Sequence, residues 1–213
     1  MSEELVRVNK YSRKVLELPH VRRVSPYYPL LVRDSVARKL ANVADKLPHD
    51  FRLQVDSGYR TRATQVALWN YRRADNPLLV ADPHDSPPHL TGGAVDVALL
   101  DAKGREINMS EPFGKFYDEP QLVSDKISPR AQELRGLLRT LMTAEGFVPN
   151  PAEYWHFSYG DKRWANVNKK DQLYDEIDLE KSMYYPFLKY VSIKFLRTFY
   201  RVLNKVFYLQ TNY

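Results

Sequence analysis

The chain has 213 residues, which suits one ordinary domain plus an appendage and is too short for two full catalytic domains. Hydrophobic residues make up 44% and charged residues 27%, a balance that excludes intrinsic disorder and a polytopic membrane protein. With no cysteine, thiolate sites and disulfides are excluded and any metal must be held by histidine and carboxylate; the net charge of +6 is mildly basic.

That charge is unevenly spread. Beyond Glu180 there is no acidic residue, but there are six basic ones: Lys181, Lys189, Lys194, Arg197, Arg201 and Lys205. Residues 1–180 therefore carry 26 basic and 26 acidic side chains and show no nucleic-acid footprint. The tail also holds 10 of the 27 aromatic residues, so two pieces are expected: residues 1–180 as the main domain and 181–213 as an extension. The N-terminal stretch places acids at positions 3 and 4 and lacks the apolar core of a secretion signal. No run approaches the ~18 apolar residues of a membrane span, and the expected compartment is the cytoplasm.

In chain order, Val36, Leu40, Val43, Ala44 and Leu47 recur at helical spacing, and Pro48 closes that helix. Phe51, Leu53 and Val55 alternate with Arg52, Gln54 and Asp56, predicting a half-buried strand broken at Ser57-Gly58. A second helix is expected from about Thr61 to the Asn76-Pro77 turn, and the proline-rich residues 81–91 read as a loop. Residues 93–100 form a β-branched apolar run that predicts a central strand, and residues 101–104 a hairpin turn. Ser128-Pro129 opens a third helix through Ala131, Leu134, Leu138 and Met142, which Gly146 ends. After Pro149 and Pro151, residues 154–159 alternate as an aromatic strand. This order predicts an α+β fold with a small, mainly antiparallel sheet flanked by helices and a C-terminal helical extension.

Five histidines are available: His20, His49, His84, His89 and His156. Taken singly, a histidine is more often half-exposed or hydrogen-bonded than a metal ligand. Two have unusual neighbours. His89 lies just before Gly92-Gly93, and the strand that follows carries Asp96 among Val95, Val97 and Ala98. A carboxylate inside such a strand is costly unless it is paired, hydrogen-bonded or bound to a metal; a salt bridge to an arginine is the plain alternative. His156 sits in the aromatic strand with Glu153 three residues earlier. Two histidines and one carboxylate suffice for a catalytic zinc with an open fourth position, and Glu153 is the candidate for the base that such chemistry needs. The helical His-Glu-x-x-His pattern is absent, so the site must be assembled from separate segments.

The same residues carry a family resemblance. His89-Leu90-Thr91-Gly92-Gly93-Ala94-Val95-Asp96 fits a His-x-x-Gly-x-Ala-x-Asp motif, and Glu153-Tyr154-Trp155-His156 fits a Glu-x-Trp-His motif. Upstream, Ser57-Gly58-Tyr59-Arg60 with Gln65 fits a Gly-Tyr-Arg segment. In this order, across about residues 25–165, they resemble the VanX-type D-alanyl-D-alanine dipeptidases of the LAS zinc-peptidase superfamily. The resemblance implies that His89, Asp96 and His156 bind zinc and that Glu153 deprotonates the attacking water and delivers the proton to the leaving amine. It implies that Arg60 stabilises the oxyanion and that the substrate is a small D-amino-acid dipeptide such as D-Ala-D-Ala.

Two departures stand out. Pro87 occupies the position, two residues before the histidine, where the family commonly has serine. VanX-type enzymes usually carry Met-Gly-x-x-Phe-Asp after the metal strand, with that Asp gripping the dipeptide ammonium; here the stretch is Met109-Ser110-Glu111-Pro112-Phe113-Gly114. Glu111 and Asp118 are the candidate substitutes. The departure favours a related D,D-carboxypeptidase or endopeptidase acting on longer stem peptides, which the missing export signal opposes. An inactive zinc-binding module is the third alternative, and the intact Glu153 and Arg60 argue against it.

In the tail, residues 187–209 place Lys194, Arg197, Arg201 and Lys205 along one helical stripe opposite Leu188, Val191, Phe195, Val202 and Val206. Such a helix docks on its own domain or on a second subunit of a homo-oligomer, or lies in an anionic membrane surface; docking is the preferred expectation.

Overall fold

The structure is a computed structural model that describes residues 3–19, 29–72, 80–109 and 127–177. The chain divides into Met1–Ile177 and Asp178–Tyr213, and only the first unit falls within the described residues. The expected tail helix, His20 and the candidate ammonium partners Glu111, Gly114 and Asp118 lie outside them.

Two short strands, β1 (Leu5–Arg7) and β3 (Leu31–Arg33), pair antiparallel as a separate two-stranded sheet. Helix α1 (Asp34–Lys46) follows directly and buries Val36, Ala37, Leu40, Ala41, Val43 and Ala44, the face set by its i, i+3, i+4 pattern. It stops at Leu47 in extended conformation, because Pro48 disfavours helical geometry in the residue before it.

The main sheet has five strands in the order β2 (Val15–Glu17), β4 (Arg52–Ser57), β5 (Ala94–Leu100), β7 (Glu153–Ser158) and β6 (Val148–Asn150). Only the β2–β4 pair is parallel. The fold is α+β with a mainly antiparallel sheet, and the 93–100 run supplies its central strand β5. Val95, Val97 and Leu99 on β5 join Leu53, Val55 and Phe157 in one core with Leu40 and Val43 of α1. Helix α3 (Pro129–Ala144) adds Leu134, Leu138 and Met142 to it. Full burial of such side chains stabilises by about 1.5–3 kcal/mol each.

The helix ends follow their local chemistry. Ser128 Oγ accepts from Ala131 N–H at 3.2 Å with Pro129 as the first helical residue of α3, and Gly146 at φ 86° turns the chain out of it. The 101–104 turn closes as expected: Gly104 N–H donates to Asp101 O and Ile107 N–H returns to Leu99 O.

Two local readings differ. Strand β4 is not half-buried with polar residues outward, because Leu53, Gln54 and Val55 are all buried. It is an interior strand, and Gln54 meets its burial by donating to Asp56 Oδ1 at 2.8 Å. The 81–91 loop ends in a 3-10 helix, Pro88–Thr91, which starts on a proline and closes on Gly92 at φ 74°. Pro149 sits inside strand β6, a place open to it because β6 is the sheet edge. Helix α2 (Arg62–Arg72) begins where expected, and its predicted end lies outside the described residues. A short helix α4 (Lys162–Asn168), capped by Asp161 Oδ1 accepting from Trp164 N–H, completes the elements. Among the described residues no helix is long and apolar enough to cross a membrane.

Candidate metal centre

Strand registers build the site. Ser57 of β4 lies opposite Asp96 of β5, and Asp96 lies opposite His156 of β7, so the three form one row across the sheet. Residues directly opposite in antiparallel strands share a face, so their side chains meet without any help from loops. A register irregularity between Val55 and Ser57 on β4 brings Ser57 into that row. His89 reaches it from the 3-10 helix, whose His89 carbonyl accepts from Arg60 N–H at 3.1 Å. The chain after β4 is itself held by Tyr59 N–H donating to Leu31 O at 2.7 Å.

The donor atoms of His89, Asp96 and His156 lie within 4.8 Å of one another. His89 Nδ1 donates to Gly58 O at 2.8 Å, which fixes the tautomer and leaves Nε2 facing Asp96 Oδ2 at 3.3 Å. His156 presents Nδ1 to Asp96 Oδ1 at 2.9 Å, while its Nε2 is 3.4 Å from Ser158 Oγ. The two imidazoles stand edge to face with centroids 5.0 Å apart. Glu153 Oε2 lies 3.9 Å from His156 Nδ1 and accepts from Asn150 Nδ2 at 2.8 Å. Arg60 Nη2 pairs with Asp96 Oδ2 at 2.8 Å, and its Nε donates to Ser57 Oγ at 2.9 Å. The arginine partner that the buried Asp96 required is therefore Arg60.

The electrostatics follow from the burial of these groups and from the charges they face. Burial pushes the Asp96 carboxyl upward, but the charges and hydrogen bonds of His89, His156 and Arg60 hold it well below the usual carboxylate range. Burial lowers the His89 imidazole and the Arg60 charge adds to that effect, so His89 is neutral, as a ligand must be. Burial would also lower His156, yet the hydrogen bond to Asp96 and the charges of Asp96 and Glu153 raise it. Glu153 is raised, chiefly by burial, which makes it a stronger base than an exposed carboxylate.

A peptide frame surrounds these groups. Arg33, itself buried, donates from Nε to Thr91 O at 2.7 Å and from Nη2 to Asp175 O at 3.0 Å, with its guanidinium stacked 4.9 Å from the Tyr174 ring. Beyond α4 the chain returns to the site: Leu173 and Tyr174 N–H both donate to Gly160 O, and Arg62 pairs with Glu176. Tyr59 Oη donates to Ile177 O at 2.9 Å, and Ile177 N–H donates to Leu90 O at 2.8 Å. Gly93 is required by close approach, since a Cβ there would lie 2.2 Å from Tyr159 O.

All five residues singled out in the sequence come together here, whereas His49 and His84 are exposed and apart from the group. Sequence reasoning missed Asn150, Ser158 and Arg33. The signal for Ser158 was available, since strand period places it on the same face as His156. Arg33 acts through long-range pairing that no local pattern announces, whereas Asn150 bonds Glu153 only three residues on, across the β6–β7 turn.

The family comparison agrees in extent and order. A family model described as D-ala-D-ala dipeptidase, of the M15 peptidases, matches residues 21–176. A D-alanyl-D-alanine dipeptidase of Synechocystis sp. is 37% identical over 95 residues, covering 39% of this chain and 38% of that protein. A D-alanyl-D-alanine dipeptidase of Escherichia coli is 28% identical over 128 residues, covering 60% of this chain and 65% of that protein. The chain thus spans less than two thirds of the length of either relative. With a family match that takes in all five clustered residues and the whole main sheet from β4 onward, the chain belongs to the D-Ala-D-Ala dipeptidase family of M15 peptidases.

Proposed function

We propose that the protein is a zinc D,D-dipeptidase that hydrolyses D-Ala-D-Ala or a close relative. The observation that carries this reading is the buried set of two imidazoles and one carboxylate with donor atoms within 4.8 Å, beside a carboxylate 3.9 Å from one of them. Imidazole and carboxylate donors suit zinc, and three protein ligands leave a position open. His89, Asp96 and His156 would hold the ion. Held there, zinc would supply Lewis acidity for a carbonyl and a bound water.

Glu153 takes the proton of the attacking water and passes it to the nitrogen of the leaving D-amino acid as the peptide C–N bond breaks. Its burial favours the protonated form and so favours accepting that proton, while Asn150 holds Oε2 in place. Arg60 is anchored through Nη2 and Nε, which leaves Nη1 as the guanidinium nitrogen outside those two bonds. A fixed cation aimed at the developing oxyanion is worth on the order of 3 kcal/mol in such sites.

A second reading, action on longer stem peptides, is favoured by Gly114 standing where the family usually has an acid. Residues 1–180 carry this activity.

The test is a zinc and substrate panel. The wild-type chain should hold about one zinc, and His89→Ala, Asp96→Ala and His156→Ala should each lose it. Hydrolysis of D-Ala-D-Ala, its N-acylated form and a stem pentapeptide should rank the free dipeptide first. Full zinc occupancy in all three variants would sink the metal assignment, and preference for the pentapeptide would favour the second reading.

A further inference from the structure

Resting on the metal centre proposed above, we infer that Ser158 is a positioning residue that holds His156 with Nδ1 turned toward Asp96. Ser158 is fully buried, and its backbone pairs with Ala94 of β5 on one side and Val148 of β6 on the other. Its Cα is therefore fixed by two strands. Its Oγ lies 3.4 Å from His156 Nε2, the ring nitrogen that does not face Asp96.

The two histidines are oriented through opposite atoms. His89 spends Nδ1 on the Gly58 carbonyl and offers Nε2 to the cluster. His156 offers Nδ1, so the nitrogen that needs an outside partner is Nε2. A carbonyl at that position would accept one tautomer only. A hydroxyl oxygen accepts from Nε2–H and still has its own hydrogen to give away.

Metal-ligating histidines are commonly oriented by a hydrogen bond at the ring nitrogen that does not bind the ion, and Ser158 makes that contact here.

The experiment uses the full chain and zinc alone. Zinc affinity is measured by competition with a chromogenic chelator, alongside melting of the metal-free protein. Ser158→Ala should weaken zinc binding about 10- to 100-fold, the usual effect of losing such a partner. In the zinc-loaded wild type, nitrogen-15 spectra of the ring should show His156 protonated at Nε2, a readout that needs no variant to fold.

Unchanged zinc affinity in Ser158→Ala, even with a lowered melting temperature, would reduce Ser158 to a packing residue and overturn the inference. Protonation at Nδ1 in the zinc-loaded protein would overturn it as well. A wild-type chain that binds no zinc would overturn the metal centre itself, a result distinguishable from tight wild-type binding with an indifferent Ser158→Ala.

Discussion

Replacing Glu153 by glutamine separates chemistry from metal binding. The substitution keeps the side-chain size and an oxygen to accept from Asn150 Nδ2, now 2.8 Å from Oε2, but removes the charge and the basicity. Loss of a positioned general base costs about 10²- to 10⁴-fold in rate. At 1.36 kcal/mol for each tenfold, that is about 3–5 kcal/mol of barrier, expressed in kcat with KM little changed. The metal-free protein adds a second readout with a definite sign. Burial raises the Glu153 carboxyl above its ordinary 4.5, so the folded state disfavours the ionised form. Below pH 4.5 both folded and unfolded chains are protonated there and the residue is neutral in effect; its cost appears as pH rises through 4.5 and is complete above the raised folded value. The metal-free glutamine variant should therefore melt higher than wild type near pH 7 and match it at low pH. Zinc content, steady-state hydrolysis of D-Ala-D-Ala and melting across this pH range make the assay. Near-normal turnover with zinc in place would refute the assigned base, and a lower melting temperature at pH 7 would refute the buried-carboxylate argument.

Gly93→Ala would place a Cβ 2.2 Å from the Tyr159 carbonyl, forcing β5 and β7 apart next to the Asp96–His156 row. It should cost about 2–4 kcal/mol in urea unfolding and weaken zinc binding; a stability within 0.5 kcal/mol of wild type, roughly the scatter of a surface substitution, would contradict it. Lys10, Tyr11 and Arg38 hold the Asp34 carboxyl down to about 2, from an ordinary 3.8. Its stabilisation is full above 3.8 and lost as pH falls through 2, so Asp34→Asn should cost about 1 kcal/mol at pH 7, with a gap that closes in acid; a gap independent of pH would show that the charge is not responsible. Gly114→Asp should raise kcat/KM for free D-Ala-D-Ala by about tenfold, or 1.4 kcal/mol, and leave the N-acylated dipeptide unimproved. If wild type already rejects the acylated substrate strongly, Glu111→Gln and Asp118→Asn identify the carboxylate that replaces it.

Much of the candidate site was legible because its residues sit in short, local patterns. Asp96 announced itself as a charge inside an apolar strand, and His156 and Glu153 shared one aromatic stretch. Their meeting was not legible from period alone, since it depends on the Ser57–Asp96–His156 register across three strands. The long helices α1 and α3 show full helical periods, and the structure reproduces their bounds within a residue or two. Strands β1, β2 and β3 are three residues each, too short for an alternation to rise above chance. They exist because neighbours supply the pairing. Gln54 misled for a different reason: alternation reports one covered face, and at Gln54 the other face is buried too. The 3-10 helix over Pro88–Thr91 hid inside a proline-rich stretch because proline favours the first turn of a helix as readily as a loop.

The bonds at Ile177 anchor the last described residue of this unit to the segments that carry the site. Its carbonyl is held by Tyr59 and its amide by Leu90, each one residue away in sequence from a member of the cluster, Arg60 or His89. Amide exchange at Ile177 is therefore a local gauge of how firmly those two segments hold together, slow while both bonds are made and faster when they open.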